Sequence, residues 1–138
     1  MSLIRNSKLV NQAVDFTGVQ SGKIHPSDVD FVLEFSNKIL ILGEVKRRYN
    51  RIPKGQEYLL TRIADRWGDA GIVLKVEHEH DNEDTNIPLK DCFVTRIYVD
   101  KTWKNYEYGE EPIIPFLNRI GIVYNNKKCQ FEEEINAQ

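Results

Sequence analysis

Apolar residues along the chain switch between two periods, and each switch marks a structural element. Over positions 28–35 they alternate, with Val29, Phe31, Leu33 and Phe35 on one side and Asp28, Asp30, Val32 and Glu34 on the other. A period of two is that of a β-strand half buried in a sheet. Ser36-Asn37-Lys38 reads as a turn, and positions 39–46 read as a second strand, apolar on both faces until Glu44, as suits the interior of a sheet. The period then lengthens: Leu59, Leu60, Ile63, Ala64 and Trp67 make the apolar stripe of a helix over about 54–69, which Gly71 stops. A third strand is expected at 71–77, a polar connection at 78–90 and a fourth strand at 92–100. Pro112 and Pro115 open a last helix that Gly121 ends, after which Ile122-Val123-Tyr124 is expected to pair with Cys129-Gln130-Phe131 across Asn125-Asn126. Ahead of these, Ser7 is placed to cap a short helix carrying Val10, Ala13 and Val14, with Gly18 at its end. The order predicts an α/β fold, a central mixed β-sheet flanked by helices.

The hairpin at 28–46 carries the candidate chemistry, because its register decides which side chains share a face. With a three-residue loop at Ser36-Asn37-Lys38, Phe35 faces Ile39, Val32 faces Leu42, Asp30 faces Glu44 and Asp28 faces Lys46. Both acids and the lysine then fall on one face. A two-residue loop would place Asp30 opposite Gly43 and send the two carboxylates to opposite faces. The longer loop needs one residue at positive φ, which Asn37 tolerates better than Lys38. Two adjacent carboxylates repel each other unless a divalent cation lies between them, and oxygen ligands of this kind suit Mg2+ or Mn2+. A nearby lysine can position a water or neutralise charge that builds on a phosphate. The pattern thus suggests metal-dependent phosphodiester cleavage, with Asp28 as a rival or accessory first acid. The plainer reading, a surface hairpin with a Glu-Lys pair, fits poorly with charges placed at the end of the apolar run Ile39-Leu40-Ile41-Leu42.

Composition narrows the setting. The 138 residues, 41% of them hydrophobic, suffice for one domain spanning 1–138 with a real core. A net charge of -2 argues against coating nucleic acid indiscriminately, yet Arg47, Arg48, Arg51 and Lys54 directly follow Lys46, with Tyr49 among them. That local cluster suits a phosphate backbone and the stacking of a base. Cys92 and Cys129 are far apart and fit no zinc or disulfide spacing, so free thiols and a cytoplasmic location are expected. No run approaches the ~20 apolar residues that span a bilayer, so no membrane partner is expected. Glu77-His78-Glu79-His80-Asp81 resembles a metal cluster but reads more simply as a solvated loop, as does His25.

The segment Ser27-Asp28-Val29-Asp30-Phe31-Val32-Leu33-Glu34-Phe35, followed by Ile41-Leu42-Gly43-Glu44-Val45-Lys46, resembles the PD-(D/E)XK nuclease superfamily, which includes restriction endonucleases, Holliday junction resolvases and phage exonucleases. The resemblance covers about 27–67. It implies a restriction endonuclease-like sheet, with Asp30 and Glu44 as Mg2+ ligands, the Val45 carbonyl completing the metal site, and Lys46 as the motif lysine. Gln56 matches a glutamine that some members place after the lysine, although Gln56-Glu57-Tyr58 is spaced more closely than their pattern. Val29 stands where the motif has its proline, and the first expected helix supplies no glutamate. The function implied is a small Mg2+-dependent nuclease acting on DNA. A domain of this size offers little surface for a duplex, so a homodimer is compatible with that role. The alternative is a catalytically silent module of the same fold that binds nucleic acid or a protein partner.

Overall fold

The computed structural model describes residues 14–24, 26–82 and 84–133. The expected helix at Ser7, Val10 and Ala13, the loop residue His25 and the end of the tail lie outside them. Five strands, β1 (Phe31–Phe35), β2 (Ile39–Arg47), β3 (Gly71–His78), β4 (Phe93–Val99) and β5 (Thr102–Asn105), form one sheet whose spatial order is the chain order. The β2–β3 pair is parallel and the other three pairs are antiparallel. A parallel pair needs a crossover, which α1 (Lys54–Trp67) supplies; α2 (Ile113–Val123) follows β5. The α/β class and mixed sheet are therefore as the sequence indicates.

The two faces of the sheet bury different sets. Ile39 and Ile41 of β2 join Ile72, Leu74, Val76, Val94, Ile113, Phe116 and Leu117 under α2. Leu40 and Leu42 join Leu60, Ala64, Val73 and Tyr98 under α1. Every residue of β3 is buried, as expected of the central strand. Burial of each large aliphatic side chain here contributes roughly 1.5–3 kcal/mol, which makes this double-sided packing the main support of the fold.

Several elements depart from the expected pattern. The first strand begins at Phe31, not at 28, and Val29 packs with the α1-side cluster instead of sharing the face of Phe31. Val14 is 80% exposed and irregular, so it is no part of a buried helical stripe. In α1 the buried positions are Glu57, Leu60 and Ala64, whereas Leu59 and Ile63 are partly exposed. Glu77 and His78 belong to β3 and are buried, so the stretch read as a solvated loop starts two residues later. Strand β5 was not foreseen: Asp100 and Lys101, both at positive φ, form a two-residue turn, and lysine at the second position disguises the usual Asp-Gly or Asn-Gly signal. Helix α2 runs through Gly121 to Val123, so Ile122 and Val123 are helical and the expected pairing with 129–131 does not form. The glycine is kept for closeness, since a Cβ there would lie 2.1 Å from the Cys129 carbonyl oxygen.

A similar approach fixes α1. A Cβ on Gly71 would lie 2.2 Å from the Ala64 carbonyl oxygen, a backbone atom that cannot swing aside. Gly71→Ala is expected to lower stability by about 1–3 kcal/mol, read as a reduced midpoint in urea. An unchanged midpoint would mean that the helix tolerates displacement.

Candidate active site

The hairpin register is the one that places both acids together. Phe35 pairs with Ile39, Val32 with Leu42 and Phe31 with Gly43, so the next position, Asp30, stands beside Glu44. The loop is Ser36-Asn37-Lys38, and its strain is distributed differently from expectation: Ser36 (φ 55°) and Asn37 (φ 58°) are both left-handed, and the Lys38 N–H donates to the Phe35 carbonyl at 2.9 Å. Lys38 then becomes the extra residue that sets the register. At Gly43 the Phe31 ring lies across the strand, where a Cβ would come within 1.9 Å of it.

Why β1 stops at Asp30 follows from one hydrogen bond. The Val45 N–H donates to Asp30 Oδ2 at 2.8 Å. Odd-numbered residues of β2 turn their backbone groups toward β1, as even-numbered Leu40 does toward the β3 side through its bond to Ala70. In a continued ladder the Val45 N–H would meet the backbone of residue 29; the Asp30 carboxylate takes that place, and the chain turns so that Val29 rolls under α1. The Val45 carbonyl, on the same side of the strand as its N–H, also faces this end of the hairpin.

Across the sheet the site continues as a polar row. Glu44 pairs in register with Lys75, Lys75 with Arg96, and Arg96 with Asn105. The first turn of α1 lies over this row: Gln56 Nε2 donates to Glu44 Oε1 (2.7 Å) and to the Asp28 carbonyl (2.6 Å), and Arg96 donates to Glu57 (3.0 Å). Lys54 adds a weaker contact to Glu57 (3.4 Å). One row further along, Glu77 accepts from Lys75 (3.1 Å), from the Thr95 hydroxyl and from the Tyr49 N–H (2.8 Å). Burial pushes the Glu77 carboxyl up, but these hydrogen bonds together with the Lys75 charge outweigh it and hold it below its ordinary value.

Lys75 and Arg96 thus have acidic partners, while Glu44, only 1% exposed, has an amide and a second carboxylate as its neighbours. Its carboxyl is pushed up to about 7, chiefly by burial and next by the Asp30 charge, against the opposing pull of Lys46. Because the folded value lies above the ordinary 4.5, the native metal-free protein holds this proton more tightly than the unfolded chain does. The contribution to stability is greatest below pH 4.5, declines up to about pH 7 and is level above. Glu44→Gln is expected to remove that decline and to be more stable at pH 8 by on the order of 3 kcal/mol, measured by thermal melts across the range. Parallel curves for the two proteins would refute the assignment.

The remaining sequence-predicted residues divide. Lys46 is half-buried on the Glu44 side, in register with Glu77. The backbone carbonyl of Asp28 accepts from Gln56, which joins it to Glu44. Gln56, half-buried, makes that bridge from the first turn of α1. Arg47 is paired with Asp81 and Arg48 with Glu79, so much of the basic run is already compensated. Arg51 and Lys54 are exposed. Sequence reasoning missed Glu57, Lys75, Glu77 and Arg96; the signal was a lysine and an acid two apart within an otherwise apolar strand.

The oxygens gathered here are two carboxylates and a backbone carbonyl, a donor set for a hard cation such as Mg2+, which commonly uses one or two carboxylates with water and phosphate. Among the described residues no cluster of three or more His, Cys, Asp or Glu is placed to hold a metal ion. No helix among these residues is long and apolar enough to cross a membrane. Compared with protein-family models, curated proteins and solved structures, the chain matches none.

Proposed function

We propose that this chain is a Mg2+- or Mn2+-dependent deoxyribonuclease in which Asp30, Glu44 and the Val45 carbonyl hold the cation and Lys46 stands beside the reacting phosphate. The observation that carries this reading is the buried Glu44 carboxylate beside Asp30, two like charges whose repulsion a divalent cation would relieve. A bound cation supplies Lewis-acid stabilisation of charge on the phosphate and a lowered pKa for a water. Gln56 fixes the Glu44 carboxylate, and the Val45 N–H fixes that of Asp30, so both acids are set before substrate arrives. Lys46 contributes a positive charge and a proton donor next to them.

Pairing of Arg47 and Arg48 with Asp81 and Glu79 favours a second reading, a silent module that binds without cutting. The two separate on plasmid, linear duplex, single-stranded and branched DNA incubated with Mg2+, Mn2+ or EDTA. The nuclease reading expects cutting with either metal and none with EDTA. Binding without cutting under all conditions would support the silent module instead.

A further inference from the structure

Tyr49 has an unusual setting for a surface residue. It is 77% exposed, yet its backbone is held at φ 73°, in the left-handed region that a side chain of this size rarely occupies. The hold comes from below: its N–H donates to the carboxylate of buried Glu77, already bonded to Lys75 and Thr95. A second bond, from the Asn50 N–H to the Arg47 carbonyl at 2.9 Å, closes the turn. The Arg48 guanidinium lies 4.7 Å from the centre of the Tyr49 ring and 4.5 Å from that of Tyr108, so one face of the Tyr49 ring is backed by a cation that is itself clamped between two rings. The exposure of Tyr49 leaves the other face to solvent. Strained, exposed positions that the surrounding structure over-determines are characteristic of sites that meet a ligand.

The location gives the ligand its class. Tyr49 lies three residues beyond Lys46, and its anchor Glu77 is the register partner of Lys46, so its backbone is tied to the strand position next to the proposed lysine. Because Arg47 and Arg48 are paired with acids, the surface there is closer to neutral than the sequence suggests, which weakens a purely electrostatic grip on a phosphate backbone. A flat, rigid aromatic face instead suits an unpaired base, whose π-surface a closed duplex does not offer. We infer that Tyr49 is a stacking platform for an unpaired base, so that the site acts on DNA with single-stranded or frayed character beside the bond to be cut. This rests on the nuclease reading for the reaction but not for the binding.

Tyr49→Gly removes the ring and relieves the left-handed backbone, so it is expected to melt at or above the temperature of the native protein. Tyr49→Phe keeps the ring. In EDTA, a single-stranded oligonucleotide carrying 2-aminopurine should be quenched on binding the native protein and Tyr49→Phe, and should bind Tyr49→Gly about tenfold more weakly, the factor expected for loss of one stacked base. A blunt duplex with the probe paired should show no difference. Equal affinity and quenching in Tyr49→Gly, or no binding of single strands by the native protein, would overturn the inference. Glu44-dependent cutting of blunt duplex that ignores Tyr49 would overturn it while leaving the nuclease reading intact; stacking without any cutting would do the reverse.

Discussion

Glu44→Gln is expected to reduce Mg2+-dependent DNA cleavage by roughly 10²–10³-fold or more while leaving the protein folded. The amide is close in size to the carboxyl and can still accept from Gln56, so the α1 contact that holds position 44 survives. What disappears is the negative charge. Without it the Asp30 carboxylate alone must retain the cation, and a single acid with one backbone carbonyl is a poor site for an ion that gives up its water reluctantly. Lys46→Ala is expected to reduce cleavage with less effect on metal affinity, because in the proposed site an ammonium group serves the phosphate and cannot be a cation ligand. A titration of Mg2+ followed by thermal shift separates the two: midpoint stabilisation by the ion should be lost in Glu44→Gln and kept in Lys46→Ala. Cleavage by Glu44→Gln at the native rate would end the metal-site reading.

The largest expected effect on folding comes from a residue that the hairpin motif does not include. Lys75 and Glu77 have side chains only 8% and 7% exposed, and their ammonium and carboxylate are 3.1 Å apart. Removing one member of a buried pair leaves the other charge without compensation, which costs about 3–5 kcal/mol. Lys75→Met is therefore expected to be severely destabilised, as judged by urea denaturation at neutral pH. Pairing it with Glu77→Gln should restore much of the loss, since the stranded charge is then gone. Because Glu77 is held below its ordinary value, its stabilising contribution is present above about pH 4.5 and fades as the pH falls. That slope is opposite in sign to the one expected from Glu44. If the double variant is no more stable than Lys75→Met, the loss reflects packing of the lysine stem and not its charge.

What the sequence made legible follows from how local each signal was. The period-two runs and the apolar stretch before Glu44 located β2 and the hairpin, and the register argument placed Asp30 against Glu44 even though the turn achieves it through Ser36 and Asn37. The start of β1 was misplaced because alternation continues through Asp28 and Val29, while a hydrogen bond from the Val45 N–H to the Asp30 carboxylate ends the ladder. Helix α1 looked broader on its apolar face than it is, because Leu59 and Ile63 keep the helical spacing without a sheet residue beneath them. The polar row was harder to read for a different reason: Glu57, Lys75, Glu77 and Arg96 are brought together only by the crossover and by β4, and the one local sign, a lysine and an acid two apart in an apolar strand, names only the middle of the row.

The order of the strands also gives the site a timetable. Since spatial order repeats chain order, Asp30, Glu44, Lys46 and Gln56 leave the ribosome as one continuous stretch, ahead of every residue of β3 and β4. The hairpin can close early, but β2 then has an open edge where Lys75 and Glu77 will later lie, and Glu57 waits for Arg96. A nascent chain ending before β4 would carry the acid pair and Lys75 without Arg96 and the Thr95 hydroxyl, which bond Glu57 and Glu77. Assembly of the proposed site and of its support is thus separated during synthesis, and the arrangement seen in the fold is reached only when the later strands dock.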